Sequence, residues 1–182
     1  MEKRNVHSEE TLWRQTLAAV RHELTGLAPA ERSWLAAHLQ AMGALQERLQ
    51  ALFVAAGGPT LCRDCDGACC GCGRNHLTLG NLLAMLLAGD EPPAPDWSAP
   101  CPWLGADGCR LGTPRRPFNC VSFICEAVEA RLSSQERDSF CALERELRLG
   151  YEELARRYLG AGRQGLLLRA ERIGAQGFLT RP

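Results

Sequence analysis

The sequence predicts a mostly α-helical protein whose three segments pack as one domain. Residues 1–58 are expected to form a helical hairpin, residues 59–126 a loop-rich, cysteine-rich core, and residues 127–182 a set of C-terminal helices. Both outer segments repeat apolar residues at spacings of three and four, which is the period of an amphipathic helix. Alternation with a period of two is almost absent, so little β structure is expected.

The N-terminal hairpin is predicted from two apolar stripes. The first consists of Trp13, Leu17, Val20, Leu24 and Leu27, and the second of Leu35, Leu39, Met42, Leu49 and Phe53. Pro29 stands where a first helical turn tolerates proline, and Gly57-Gly58-Pro59 is expected to end the second helix. Such stripes pack within a domain, but they also suit a partner helix, so a homodimer or another protein partner through this hairpin stays open.

The C-terminal segment carries a clear helix start, because Ser133 and Glu136 have the spacing of a capping box. The apolar stripe that follows crosses Gly150, which leaves open one long helix or two abutting helices; it consists of Phe140, Leu143, Leu147, Tyr151, Leu154 and Tyr158. Residues 166–173 predict one more short helix. Cys141 lies beside the stripe and is interpreted as a small core residue.

Within the middle segment only residues 77–88 predict a helix, with Thr78 as N-cap and Gly89 as the stop. A proline-rich loop follows at residues 89–100. Because large apolar side chains are few outside this helix, metal coordination is expected to supply part of the folding energy of the segment.

Nine of the ten cysteines lie in the middle segment, in two dense groups. The first group is Cys62, Cys65, Cys69, Cys70 and Cys72, and the second is Cys101, Cys109, Cys120 and Cys125. No signal-peptide pattern and no apolar run of the ~18 residues that a membrane span needs is present, so a cytoplasmic, reducing location is expected. Cysteines in such a compartment favour metal chemistry over disulfides. The net charge of zero gives no reason to expect binding to a membrane or to nucleic acid.

Short cysteine spacings let two thiolates converge on one ion at ~2.3 Å. Gly67, Gly71 and Gly73 allow tight backbone turns around the first group. Five arginines close to the cysteines in sequence could offset the negative charge of the thiolates; they are Arg63, Arg74, Arg110, Arg115 and Arg116. The two groups are expected to meet in space.

The adjacent pair Cys69-Cys70 restricts the arrangement, because neighbouring side chains diverge in both helix and strand. Either the two thiols serve different metals, or one is a ligand and the other packs.

The order of cysteines resembles a known family. Cys62, Cys65, Cys69 and Cys70 precede a Leu77-Thr78 helix start, and a second run combines Cys101-Pro102-Trp103-Leu104, Cys109, Arg116-Pro117, Cys120 and Cys125. This pattern, over about residues 60–126, looks like the YkgJ-type cysteine cluster family of zinc- or iron-chelating domains, named for its CxxCxxCC motif. The resemblance implies a metal site with eight cysteine ligands: Cys62, Cys65, Cys69, Cys70, Cys101, Cys109, Cys120 and Cys125.

Some positions depart from the family pattern. Three residues rather than two separate Cys65 from Cys69, so Cys72 is an alternative to Cys62 as a ligand. His76, four residues after Cys72, is an alternative ligand for a mixed site. The motif also resembles part of the flagellin lysine-N-methylases, which are much longer proteins.

Two classes of function follow from the sequence. The first is a binding or structural module in which zinc, iron or an iron–sulfur cluster organises the core. The second is an iron–sulfur redox protein or an enzyme related to the cysteine-motif region of the flagellin methylases. No Ser/His/Asp set, phosphate loop or paired carboxylates indicate hydrolysis or transfer, and whether the protein is an enzyme stays open.

Overall fold

The computed structural model describes residues 6–65, 68–106, 108–174 and 177–181. It confirms a mostly α-helical fold with helices at both ends of the chain. In chain order the helices are α1 (Val6–Thr25), α2 (Pro29–Ala55), α3 (Gly58–Asp64), α4 (Leu79–Ala88), α5 (Phe118–Ser122), α6 (Glu126–Glu129), α7 (Ser134–Arg157) and α8 (Leu166–Ile173). Among the described residues, no helix is both long enough and apolar enough to cross a membrane.

The middle of the chain holds the irregular elements. Two 3-10 helices cover Ala68–Asn75 and Thr113–Arg115. Strands β1 (Leu104–Gly105) and β2 (Gly108–Cys109) form a small antiparallel hairpin in which Leu104 lies opposite Cys109. The minor β content agrees with the sequence prediction.

The prediction that the middle segment has a single helix is wrong, because α3, α5 and the two 3-10 helices also form there. Gly57 adopts a left-handed conformation with φ 72°, which ends α2, and Pro59 then fits the first turn of α3. Pro117 likewise precedes α5 directly. These helices are too short to produce a hydrophobic period, so the sequence carries no periodic signal for them.

The predicted helix starts are confirmed at both capping boxes. The Thr78 hydroxyl accepts a hydrogen bond from the Asn81 N–H, and the Asn81 side chain accepts from the Thr78 N–H, which fixes the start of α4. Ser133 and Glu136 make the same exchange before α7. Gly89, with φ 77°, caps the C-terminal end of α4 as predicted.

The core is built mainly between α2 and α7, and α1 packs on α8. The two N-terminal helices therefore pack against the C-terminal helices more than against each other. α7 runs through Gly150 as one helix, and a Cβ at Gly150 would lie 2.9 Å from Cγ of Met42. The missing side chain thus allows α2 and α7 to approach closely. The predicted stripe of α7 is buried along its whole length.

Glu31 ties the start of α2 to the C-terminal part of the chain. Its carboxylate accepts hydrogen bonds from Arg157 Nε at 2.7 Å and from the Tyr158 hydroxyl at 2.5 Å, and it also pairs with Arg181. The hydrogen bond from Arg157 contributes most to lowering the pKa of Glu31 to about 2. The carboxylate therefore stays ionised at neutral pH.

The interpretation of Cys141 as a core residue is wrong, because its side chain is exposed. Phe140, one residue earlier, is buried. A single step along a helix turns the side chain by about 100°, which takes Cys141 off the buried face of α7. Cys141 is therefore a free, exposed thiol on α7.

Gly165, the residue before α8, provides a test of the packing of α8 against the 3-10 helix that ends at Asn75. A Cβ there would lie 2.2 Å from the carbonyl oxygen of Asn75, while the next residue, Leu166, donates its N–H to the Leu77 carbonyl at 2.7 Å. We expect Gly165→Ala to lower the free energy of unfolding by about 1–3 kcal/mol, measured by urea denaturation, because the backbone must shift.

Gly112→Ala is the matched control for that substitution. Gly112 has φ −58°, which alanine adopts readily, and a Cβ there would meet no atom within 4 Å. Its free energy of unfolding should change by no more than about 0.5 kcal/mol. Equal stabilities of the two variants would contradict the close contact at Gly165.

Candidate metal centre

The 3-10 helix at Ala68–Asn75 carries three cysteines and sets their directions. A 3-10 helix has ~3 residues per turn, so residues three apart lie on the same face. Cys69 and Cys72 share one face, whereas Cys70 and Gly73 share another. The N–H of His76 donates to the Gly73 carbonyl at 3.0 Å, which extends the second face by one turn. The adjacent thiols of Cys69 and Cys70 therefore diverge, as the sequence predicts.

The face with Cys70 and Gly73 lies directly against the second cysteine group. A Cβ at Gly73 would lie 2.8 Å from Sγ of Cys101, so this glycine leaves the space that the sulfur occupies. One turn further, Nδ1 of His76 lies 3.5 Å from Sγ of Cys120. The prediction that the two cysteine groups meet in space is confirmed by these contacts.

Aromatic packing positions the start of the second group. The Trp103 ring packs edge to face on Trp13 of α1, with the ring centroids 5.2 Å apart, and on Trp97 at 6.3 Å. The backbone around Trp103 is also fixed, because Leu104 N–H donates to the Cys101 carbonyl at 3.1 Å. Cys101 is buried beside this cluster, and the β hairpin then carries Cys109.

Cys120 lies on a separate element, α5. Phe118, two residues earlier, packs edge to face on Tyr151 of α7 with ring centroids 5.7 Å apart. α5 is thereby fixed on the main helical layer, and its cysteine reaches His76 at the end of the 3-10 helix.

Arg74 connects the 3-10 helix to the loop that leads to Cys101. Its guanidinium donates to the Trp97 carbonyl at 2.9 Å and to the Ala99 carbonyl at 2.8 Å. It also pairs with the buried carboxylate of Glu9, with Nε at 3.1 Å from Oε1. One side chain therefore fixes both cysteine groups to α1.

The other arginines expected to offset the thiolate charge also hold loops in place. Arg110 donates to the Ala94 carbonyl, Arg115 pairs with Asp90, and Arg116 donates to the Leu111 carbonyl. Arg116 in addition opposes a small part of the burial effect that raises the pKa of Cys120. Structural contacts are thus the main role of these guanidinium groups in the structure.

The thiols differ in exposure, and all ten are free. Cys101 is buried, Cys62, Cys70 and Cys109 are half-buried, and Cys65, Cys69, Cys72, Cys120 and Cys125 are exposed. Gly67, one of the glycines expected to shape the first group, lies outside the described residues.

The thiols of Cys70, Cys101 and Cys120 have raised pKa values, and Cys109 contributes to each of these rises. Burial raises the pKa of Cys70 to about 11, and the neighbouring thiols of Cys69, Cys109, Cys62 and Cys101 add to this rise. Although the Cys120 side chain reaches the surface, the protein around its sulfur desolvates it, and together with Cys109, Cys101 and Cys70 this raises its pKa to about 12. Burial also raises the pKa of Cys101, and Cys109 contributes to that rise.

A second set of thiols surrounds Cys62. Burial raises the pKa of Cys62, and Cys69, Cys65 and Cys125 add to the effect. Raised values keep the Cys62, Cys70, Cys101 and Cys120 thiols protonated at neutral pH. A catalytic or redox nucleophile needs the opposite shift, so none of these four thiols is activated as a nucleophile.

The thiols of the described residues lie near one another, but their sulfur atoms are not close enough together to share one metal ion. Within the described part of the chain, no three His, Cys, Asp or Glu side chains are arranged to hold a metal ion as they stand. Metal binding therefore requires side-chain rotation that brings the sulfurs together. The donor set itself fits zinc or iron, because soft thiolates are preferred ligands of both Zn²⁺ and iron–sulfur clusters.

Comparison with known protein families, with characterised proteins and with solved structures finds no match. The likeness to the YkgJ-type family is therefore still a prediction carried by the motif residues. Sequence reasoning missed the clamp between Arg74 and Glu9 and the contact of Trp13 with Trp103, because each joins residues far apart in the chain.

The contact between Gly73 and Cys101 can be tested directly. We expect Gly73→Ala to displace the Cys101 sulfur, because the new Cβ would overlap it. Alkylation of Cys101 in the reduced protein, followed by peptide mass spectrometry, should become several-fold faster, and the free energy of unfolding should fall by about 1–3 kcal/mol.

Gly71→Ala is the control on the same 3-10 helix, since its Cβ would reach Pro100 only at 4.0 Å, an ordinary contact. In that variant, Cys101 should be alkylated as slowly as it is in the unmodified protein. If Gly73→Ala also left Cys101 fully protected, the two cysteine groups would not be in contact at this point.

Proposed function

We propose that this protein binds zinc or iron through thiolates and acts as a binding or structural module. The ligands are Cys62, Cys65, Cys69, Cys70, Cys101, Cys109, Cys120 and Cys125. The observation that carries the proposal is that the 3-10 helix bearing Cys69, Cys70 and Cys72 lies against Cys101 and Cys120 of the second group, with all of these thiols free. Disulfides would be the other use of so many cysteines, but all of these thiols are unpaired.

The thiols are not activated for nucleophilic catalysis. Cys70 and Cys120 have pKa values raised to about 11 and about 12, so they are not activated as nucleophiles. Metal binding removes these protons, and the attraction between cation and thiolates then offsets the desolvation by burial, and the smaller repulsion between thiolates, that raise the pKa values.

The chain supplies the framework that brings the ligands together. Arg74 holds the 3-10 helix, Trp103 holds the loop of Cys101, and Phe118 holds the helix of Cys120. When bound, the metal would supply a cross-link between elements that otherwise share few apolar contacts. His76 lies against Cys120 and would shield or orient that ligand.

Metal analysis of protein purified without oxygen tests this proposal. We expect at least one equivalent of zinc or iron per chain by mass spectrometry, and an absorption spectrum that identifies the form, because zinc is colourless and an iron–sulfur cluster absorbs visible light. Cys109→Ser should lose at least half of the bound metal.

Cys141→Ser is the matched control, since Cys141 is an exposed thiol on α7 outside the cysteine centre. It should keep its full metal content. Protein that binds no metal even after anaerobic reconstitution, or equal metal contents in the Cys109→Ser and Cys141→Ser variants, would contradict the proposal.

A further inference from the structure

The 3-10 helix divides the cysteines between its two faces. Cys70, Gly73 and His76 are spaced by three residues and lie on one face, and this is the face that meets Cys101 and Cys120. Cys69, one residue before Cys70, points about 120° away. A thiol on that side cannot join Cys70 in a compact mononuclear site.

The face with Cys70 defines an inner set of four thiols. Cys101 packs on Gly73, and Cys120 lies against His76. Cys109 completes the set, because the hairpin returns it beside Leu104, three residues after Cys101. Cys101, Cys109 and Cys120 are attached to segments anchored in the core by Trp103 and Phe118.

The remaining four thiols form an outer set, away from the face with Cys70. Cys62 lies on α3 and Cys65 is the residue that follows its last turn, with Cys65 Sγ 3.5 Å from the Cys62 carbonyl oxygen. α3 packs on α6, and Cys125 is the residue that precedes the first turn of α6. A small apolar cluster packs between these helices; it contains Ala56, Val128 and Leu132, with Phe53, Leu61 and Ile124 against them. Cys69 lies on a face of the 3-10 helix that differs from the face meeting Cys101 and Cys120.

We propose that the eight cysteines form two metal sites, an inner one of Cys70, Cys101, Cys109 and Cys120 and an outer one of Cys62, Cys65, Cys69 and Cys125. The inference rests on the proposed function, because it divides the same ligands. Each set holds four thiols, the number that closes a tetrahedral zinc or iron site.

The two sites differ in access to solvent. The inner set includes the buried Cys101, whereas Cys65, Cys69 and Cys125 of the outer set are exposed. Among the described residues of α3 and the 3-10 helix, only Gly58 and Gly73 are buried, so little packing holds the outer ligands in place. The inner site therefore keeps its metal ion, whereas the outer site exchanges its metal ion with ions in solution.

Titration of metal-free, reduced protein with Co²⁺ under anaerobic conditions counts the sites. Four-thiolate Co²⁺ gives intense visible and near-ultraviolet bands, and we expect them to saturate at two equivalents per chain. The double variant Cys65→Ser/Cys69→Ser should saturate at one equivalent. Cys72→Ser, on the same helix but outside both sets, and Cys141→Ser should keep two.

The outcomes separate this inference from the function on which it rests. If the unmodified protein gives no thiolate bands, the proposed function fails and the two sites fail with it. Saturation at one equivalent, or complete loss of the bands in Cys65→Ser/Cys69→Ser, overturns the two sites while metal binding stands. Loss of one equivalent in Cys72→Ser overturns the assigned outer set.

Loss of the inner ligands could unfold the chain, so a second measurement uses the unmodified protein. Zinc-loaded protein mixed with a chromogenic chelator should release half of its zinc at least ten-fold faster than the other half. The fast phase should be missing in Cys65→Ser/Cys69→Ser. Release of all the zinc in a single phase overturns the difference between an exchanging and a retained site.

Discussion

Arg74 is the side chain through which the cysteine centre is attached to the helical scaffold. It projects from the 3-10 helix that carries Cys70, pairs with Glu9 of α1, and donates to two carbonyls of the loop before Cys101. Glu9 is only 1% exposed, so polar partners must replace water around its carboxylate. Removing one partner of a fully buried ion pair costs about 3–5 kcal/mol, and the partial exposure of Arg74 reduces that figure here. The position of one cysteine group relative to the other follows from this contact.

Packing around this clamp is unequal on its two sides. Trp97, Trp103, Leu111 and Phe118 are buried in the main core, so the second cysteine group belongs to a segment that packs well without metal. The first group lies on α3 and the 3-10 helix, where no large apolar side chain is buried among the described residues. The expectation that metal stabilises the middle of the chain therefore applies mainly to the first group.

The sequence predicts those parts of the fold whose signal is local and repeated. The stripes of α2 and α7, the N-cap at Thr78 and the capping box at Ser133 give these helices and their starts to within a residue or two. The short helices α3 and α5 were missed because a few residues define no period. Cys141 was misplaced because proximity to a stripe in sequence does not put a residue on its buried face.

For the cysteine centre, composition and spacing predicted that two groups meet and that Cys69 and Cys70 diverge. Which thiols share a face depends on the 3-10 geometry at Ala68–Asn75 and on the space left at Gly73, neither of which spacing alone determines. The arginines expected to offset charge instead bind backbone carbonyls and carboxylates, because the loops between the cysteines lack regular secondary structure to satisfy those groups.

The central claim is that thiolates hold a metal between the two cysteine groups, and X-ray absorption at the zinc or iron K-edge measures the ligands themselves. The account predicts a first shell of sulfur atoms at about 2.3 Å from the metal, with at most a minor nitrogen contribution. A first shell made mainly of nitrogen or oxygen atoms at about 2.0–2.1 Å would contradict it.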